Sequence, residues 1–410
     1  MGKLREGYKQ TKVGVIPEEW DTHRIDRVLR RIRKKVEVEK EVMYQQIGIR
    51  SHAKGIFHKE LVSGEALGNK SVFWIEEDAF IVNIVFAWEQ AVAKTTEAEK
   101  GMIASHRFPM YKAKDNKVDI DYILYFFKSK RGKHLLGLAS PGGAGRNKTL
   151  GQKEFSELKL PLPPLKEQQK IAQILSTWDS AIAKQEALIE AKEQLKKGLM
   201  QKLLSGEVRF EGFDGEWEEV RLGSLTKFYL GLTYTPTYVK KGIPFLSVKD
   251  IKGSLLSFKN TKYISAEEFE NSTSNAKPRK GDILFGRVGT LGNPIIVETN
   301  IPFCIFVSLG FMRVNNDISN ILIKHWMNSI FFKKQVESQV AGSSQQNLNV
   351  GWLKKFKLKL PPKEEQKKIA EALSTADKEI GLLKNELETL EEQKRGLMQR
   401  LLSGDVRVVV

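Results

Sequence analysis

Hydrophobic positions near the end of the chain step by four and three without a break: Ile369, Leu373, Ala376, Ile380, Leu383, Leu387, Leu390, then Lys394, Leu397 and Leu401. One lysine in an otherwise apolar seam predicts a single long helix with a coiled-coil face. A second series keeps the same steps with more polar members: Ile171, Leu175, Trp178, Ile182, Gln185, Ile189, Lys192, Lys196, Leu199 and Leu203. Pro163-Pro164 and Pro361-Pro362 precede the two series, as suits a first helical turn and no helix interior. Each series closes on Leu-Leu-Ser-Gly, with Gly206 and Gly404 as stops. A helix from Lys166 to Leu204 would span about 60 Å at about 1.5 Å per residue. The remaining sequence is shorter in rhythm. SVFWIEEDAFIVNIVF predicts paired strands in the first half, and PFLSVKDI, GDILFGRVG and NPIIVETN predict strands in the second. VDIDYILYFFKSKRGKHLLG and ISNILIKHWMNSIFFKKQVES each carry helical spacing and are each predicted as one helix.

The two helical series are copies of one another. Stretches of 50 residues beginning at Leu160 and Leu358 share 27 positions at a constant offset of 198. The identities include turn residues, Pro163/Pro361, Pro164/Pro362 and Gly206/Gly404, which coiled-coil composition does not require. Fainter matches extend upstream: Asp119-Ile120 with Asp317-Ile318, Leu150 with Leu348, and Trp20 with Trp217 at an offset of 197. So long a period is a domain duplication, because solenoid units run roughly 20–50 residues. The predicted architecture is mixed α/β. Two globular domains, 1–160 and 207–357, alternate with helical segments 161–206 and 358–410, and the two helices pair as an antiparallel coiled coil in a pseudo-two-fold repeat. Ile171, Leu175, Trp178, Ile182, Ile369, Leu373, Ile380, Leu383, Leu387 and Leu390 are the expected coiled-coil and partner-interface residues.

Charge then separates the two kinds of segment. The chain carries 67 Lys and Arg against 50 Asp and Glu, a net +17 that points to a polyanionic partner. Residues 1–160 hold 30 basic and 21 acidic side chains, and residues 211–357 hold 19 and 13. The helical segments are close to neutral, with 8 and 6 over 161–210 and 10 and 10 over 358–410. The surplus therefore sits on the globular domains, and the helices have the composition of protein–protein contact. Cys304 is the sole cysteine, which excludes a disulfide framework and any zinc site of several cysteines. No run approaches 18 apolar residues and the start has no apolar core, so a soluble, cytoplasmic protein is expected.

Catalytic motifs are imitated without being completed. In Gly142–Thr149 the residue before Lys148 is Asn147, where a phosphate loop needs glycine. Gly286–Gly292 spaces its glycines three apart and opens no helix. The Pro-Pro pairs are followed by Leu165 and Lys363, and lack the Asp or Asn and the aromatic of amino-methyltransferases. The six histidines include no metal-binding pair at helical spacing. Recognition is favoured over catalysis, with no catalytic residue, metal or cofactor expected in this chain.

GYKQTKVGVIPEEW near the start, NLNVGWLKKFKLKLPPKEEQKKIA, and GLMQRLLSG at the close resemble the specificity subunits of type I restriction-modification systems, the HsdS family. LPLPPLKEQQKIA and GLMQKLLSG repeat the signature in mid-chain, so the resemblance spans nearly the whole sequence. It implies that each domain reads one half of a bipartite, asymmetric site in double-stranded DNA, while the helices set the gap. It further implies docking of two methyltransferase (modification) subunits using S-adenosylmethionine, and of restriction/translocase subunits using ATP and Mg, in a prokaryotic cytoplasm. Three other readings stand beside it: a specificity subunit of a methylation-only system, a stand-alone DNA methyltransferase or nuclease, and a helical scaffold.

Base reading needs short polar stretches and phosphate contact needs cations. The loops before each Pro-Pro helix match across the repeat and supply the leading candidates: Arg146, Asn147 and Lys148, and Ser343, Ser344, Gln345, Gln346 and Asn347. A second rank comprises Arg50, His52, Lys54, Lys94, His106 and Arg107 in the first half, and Tyr234, Tyr238, Lys249 and Arg287 in the second. Trp20 and Trp217 are expected to be core anchors.

Overall fold

A computed structural model describes residues 5–11, 13–142, 148–253, 255–272, 274–289, 291–340 and 347–409. The chain divides into two compact units, Met1–Gln185 with Glu386–Val410, and Glu186–Asn385, so each long helix contributes to both. The helices are Leu165–Ser205 and Lys363–Ser403, 41 residues each. Their starts are built alike. Gln168 donates its backbone N–H to the Pro164 carbonyl at 3.0 Å and its side-chain amide to Pro163 at 2.8 Å. Gln366 repeats both bonds to Pro362 and Pro361, at 2.9 and 3.0 Å. The stops are Gly206 and Gly404 at φ +78° and +80°, a left-handed conformation that side chains resist.

Within each unit the helices run antiparallel. In the first unit Asp179 pairs with Lys394, and Gln185 donates to Glu386 at 3.0 Å. In the second, Glu193 pairs with Lys384 at 2.6 Å, Lys192 with Glu379 at 2.5 Å, and Lys196 with Asp377. Ile189 and Ile380 are buried, while Trp178, Ile182, Leu383, Leu387 and Leu390 are half-buried. Four predicted seam residues do a different job. Ile171 and Leu175 are wholly buried in the first domain's core with Trp20, Phe126 and Leu401, and Ile369 and Leu373 in the second's with Leu203, Trp326 and Leu353. A heptad reports an apolar face and not what covers it; here the globular domain covers the opening turns.

The same sheet topology occurs twice. In the first unit an antiparallel sheet has the spatial order Leu29–Ile32, Met110–Ala113, Phe80–Val82, Val92–Lys94. In the second the order is Thr226–Leu230, Leu309–Val314, Ile283–Gly286, Gly292–Ile296. Each unit adds a second sheet around one parallel pair, Met43–Ile49 with Ile103–Ser105 in a four-stranded sheet, and Ile243–Leu246 with Cys304–Ile305 in a three-stranded one. Asp21–Arg24 pairs with Lys159–Leu162, and Glu218–Arg221 with Lys357–Leu360, which anchors each domain to the strand leading into its helix.

Two sequence expectations change. The strands in SVFWIEEDAFIVNIVF are not partners: Val72–Trp74 pairs with Ile103–Ser105, and Phe80–Val82 with Met110–Ala113. The turn at Asp78, φ +53°, sends them into different sheets. Each predicted domain helix is also two helices, Ile120–Lys128 then Lys130–Leu138, and Asn320–Asn328 then Ile330–Val340. Ser129 breaks the first: its hydroxyl donates to the Phe126 carbonyl at 2.6 Å and accepts from Gly132 N–H at 3.1 Å, replacing helical bonds. Ser329 donates likewise to Trp326 at 2.6 Å.

Candidate nucleic-acid interface

In the first unit, the strand Phe80–Val82 runs on into residues 83–90, and three other segments fasten to them. Ile84 donates to the Arg107 carbonyl at 3.0 Å and accepts from Leu150 N–H at 2.8 Å. His52 and Ala53 donate their backbone N–H groups to Glu89 and Gln90 at 2.6 and 2.8 Å. The Lys148 ammonium lies 5.7 Å from the Trp88 ring centre. The segments bearing Arg50, His52 and Lys54, His106 and Arg107, and Lys148 thus share one attachment. His52, Lys54, His106 and Arg107 are exposed, and among the described residues none of the four is in an ion pair. The Arg50 guanidinium lies 4.8 Å from the Phe57 ring and donates to Ile56 O at 3.3 Å.

The second unit repeats the frame with different side chains. Arg287 donates its backbone N–H to Ser308 at 2.9 Å, and its carbonyl accepts from Leu348 at 2.8 Å, as Ile84 does with Arg107 and Leu150. Val288 bridges to Asn347, so the turn after Gly286 meets the segment that leads to the second long helix. Lys249 is exposed in the short turn after Ile243–Leu246, where Val248 N–H donates to the Ser308 hydroxyl at 3.2 Å. Arg146, Asn147, Ser343, Ser344, Gln345 and Gln346 lie outside the described residues.

Several candidates are already engaged. Lys94 reaches Asp121 at 2.7 Å and Asp78 at 2.8 Å; burial works against its charge, and these two carboxylates more than compensate, raising its pKa. Arg287 spends its guanidinium on the Val307 and Leu348 carbonyls at 3.0 and 3.3 Å, and burial lowers its pKa. Tyr234 donates to Glu268 at 2.9 Å, and Tyr238 lies under the Lys262 ammonium at 4.0 Å. Lys94 and Arg287 consequently hold the frame, and the free cations lie elsewhere.

The charged residues that hold domain to helix, unlike the expected anchors Trp20 and Trp217, were missed from sequence. Glu167, with a side chain 3% exposed, accepts from Trp20 Nε1 at 3.2 Å and from Arg407 at 2.7 and 2.9 Å. Glu365, wholly buried, accepts from Trp217 Nε1 at 3.0 Å and from Arg209 at 2.9 and 2.7 Å. A second pair of clusters follows the same symmetry. Tyr125 donates to Asp179 at 2.6 Å beside Lys394; His325, at the corresponding point of its helix, lies 3.8 Å from Asp377 beside Lys196 and Lys324. Glu167/Glu365, Asp179/Asp377, Lys196/Lys394 and Arg209/Arg407 are all identities of the repeat. Charged identities that a heptad does not require were the available signal.

Among the described residues no group of three or more His, Cys, Asp or Glu is placed to hold a metal ion. No described helix is long and apolar enough to cross a membrane. What the fold and site define is a duplicated α/β recognition module, each copy basic and secured to paired helices. A family model for the type I restriction modification DNA specificity domain matches residues 17–193 and again 214–392. The chain therefore belongs to that family, and it is a DNA sequence-specificity subunit of a type I restriction-modification system. It is 26% identical over 425 residues to the type I restriction enzyme MjaVIII specificity subunit of Methanocaldococcus jannaschii, covering 98% of this chain and 96% of that one. Its fold is shared with the HsdS subunit from Thermoanaerobacter tengcongensis, at a TM-score of 0.51 and 18% identity over 95% of this chain and 98% of that one. It is shared also with the type I S subunit from M. genitalium, at a TM-score of 0.59 and 16% identity over 97% of both.

Proposed function

We propose that this chain reads a bipartite, asymmetric sequence in double-stranded DNA, one half per domain, and takes no part in covalent chemistry itself. The observation that carries this reading is the repeated frame with exchanged side chains: Ile84 and Arg107 in one unit stand where Arg287 and Ser308 stand in the other, and the backbone of a matching leucine, Leu150 or Leu348, closes each frame. Equal frames give equivalent docking, and unequal side chains give unequal half-sites. The helices set the gap and dock two modification subunits, which supply S-adenosylmethionine-dependent methylation. Restriction/translocase subunits using ATP and Mg complete the assembly.

The pattern of methylation left on DNA by this chain with its modification subunit tests the reading. Two different short motifs at a fixed separation are expected, and a symmetric or uninterrupted motif would overturn it. Inserting one heptad into both helices adds about 10 Å, so the gap should widen by about three base pairs at about 3.4 Å each. An unchanged gap removes the spacing role. Incubation of the purified chain with DNA and labelled S-adenosylmethionine should transfer nothing; turnover would instead favour a stand-alone methyltransferase.

A further inference from the structure

The loop after Met43–Ile49 is built at a conformational cost that its sequence could have avoided. His52 and Ala53 are consecutive residues at φ +60° and +56°, a region that glycine enters freely and residues with a Cβ resist. Gly55, at φ +80°, shows the inexpensive solution two residues later. The strained pair is held from outside the loop. Their N–H groups bond to Glu89 and Gln90 at 2.6 and 2.8 Å, and the Ser51 hydroxyl donates to the Glu89 carboxylate at 2.9 Å. Gln90 is itself at φ +60°, and its amide reaches the Phe127 and Ser129 carbonyls at 2.9 and 3.3 Å. Arg50 N–H closes the loop on Gly55 at 3.0 Å.

This scaffolding ends in side chains that face solvent. His52 and Lys54 are exposed, and neither has an acidic partner among the described residues. A rigid loop that presents uncompensated polar groups loses little conformational entropy on binding, and backbone strain of this kind persists where the surrounding structure imposes it. The domain that carries it has 30 basic and 21 acidic side chains over residues 1–160. A neutral imidazole offers one donor and one acceptor, which suits single base-edge groups in the major groove, while an ammonium suits guanine O6 and N7 or a phosphate.

We propose that residues 50–55 form the base-reading loop of the first domain, with His52 as its specificity-determining residue and Glu89 and Gln90 as positioning residues. The inference deepens the DNA-reading function proposed above and rests on it. In the second domain the turn Val248–Asp250 leaves the corresponding strand Ile243–Leu246 and presents Lys249. The two domains thus offer different chemistry from equivalent places.

Selection from a library of randomised DNA duplexes by the full chain tests the assignment. The unsubstituted protein should enrich a two-part sequence. His52→Ala should lose discrimination by about tenfold or more at one or two positions of one half and leave the other half intact. Lys249→Ala should do the converse. His52→Asn tolerates the left-handed backbone and should shift the preferred base while melting with the unsubstituted protein. Unchanged enrichment by His52→Asn, or equal loss in both halves, overturns the assignment of the loop while leaving the two-part reading in place. Enrichment of no sequence by the unsubstituted protein overturns both.

Discussion

Glu365 shows how one side chain can decide whether a domain stays on its helix. Its carboxylate is wholly buried and serves Arg209 and Trp217 together. Glu365→Ala would leave the half-buried Arg209 guanidinium and the Trp217 indole N–H without their acceptor and should lower stability, measurable by denaturant unfolding; an unchanged unfolding midpoint would show that water replaces the carboxylate. His325 makes a prediction in pH. It is wholly buried with neither ring nitrogen hydrogen-bonded, and burial pushes its pKa down to about 4 despite Asp377; Lys324 and Lys196 push the same way. The unfolded chain, with an ordinary histidine near 6.5, takes up the proton first. Stability from this site is therefore full above about pH 6.5 and lost as pH falls toward 4, amounting to at most about 3 kcal/mol. His325→Tyr should flatten the fall in Tm between pH 7 and pH 5, and an undiminished fall would place the titration elsewhere. Ala53→Gly should relieve the left-handed backbone and leave stability equal or about 1 kcal/mol higher.

At the scale of elements, the two long helices were legible because an apolar seam, a Pro-Pro start and a glycine stop all pointed to the same boundaries. Their antiparallel pairing was legible as well; what covers their opening turns was not. Ile171 and Ile369 occupy heptad positions, yet the domain cores cover them. A periodic pattern specifies a face, and its neighbour comes from parts of the chain far away in sequence. The breaks at Ser129 and Ser329 were lost for a related reason: helical spacing continues across both serines, and only the hydroxyl bonds to Phe126 and Trp326 reveal the interruption. Ser129→Ala should cost about 1 kcal/mol through loss of the cap. Thermal unfolding would detect it, and an unaltered Tm would mean that the break is dictated by packing instead.

For the whole molecule, the duplication and the charge make one prediction together. Binding that depends on Lys and Arg meeting phosphate should weaken steeply with salt, by about tenfold or more between about 50 and 200 mM; salt-insensitive association would favour the scaffold reading. The amino-acid sequence by itself determined that the chain is one unit used twice, that its charge lies on the domains, and where its two long helices begin and end. Those properties are local or periodic, and a repeat can be read by comparing the chain with itself. Tertiary structure alone decided which cations are free. Lys94 and Arg287 looked like Lys54 and Arg107 in sequence, but Asp78, Asp121, Val307 and Leu348 engage the first two. It also decided that Arg209 and Arg407 belong to Glu365 and Glu167, each more than 150 residues away. Whether a charge is spent on the fold or left for a ligand depends on what folding brings beside it, and spacing along the chain does not record that.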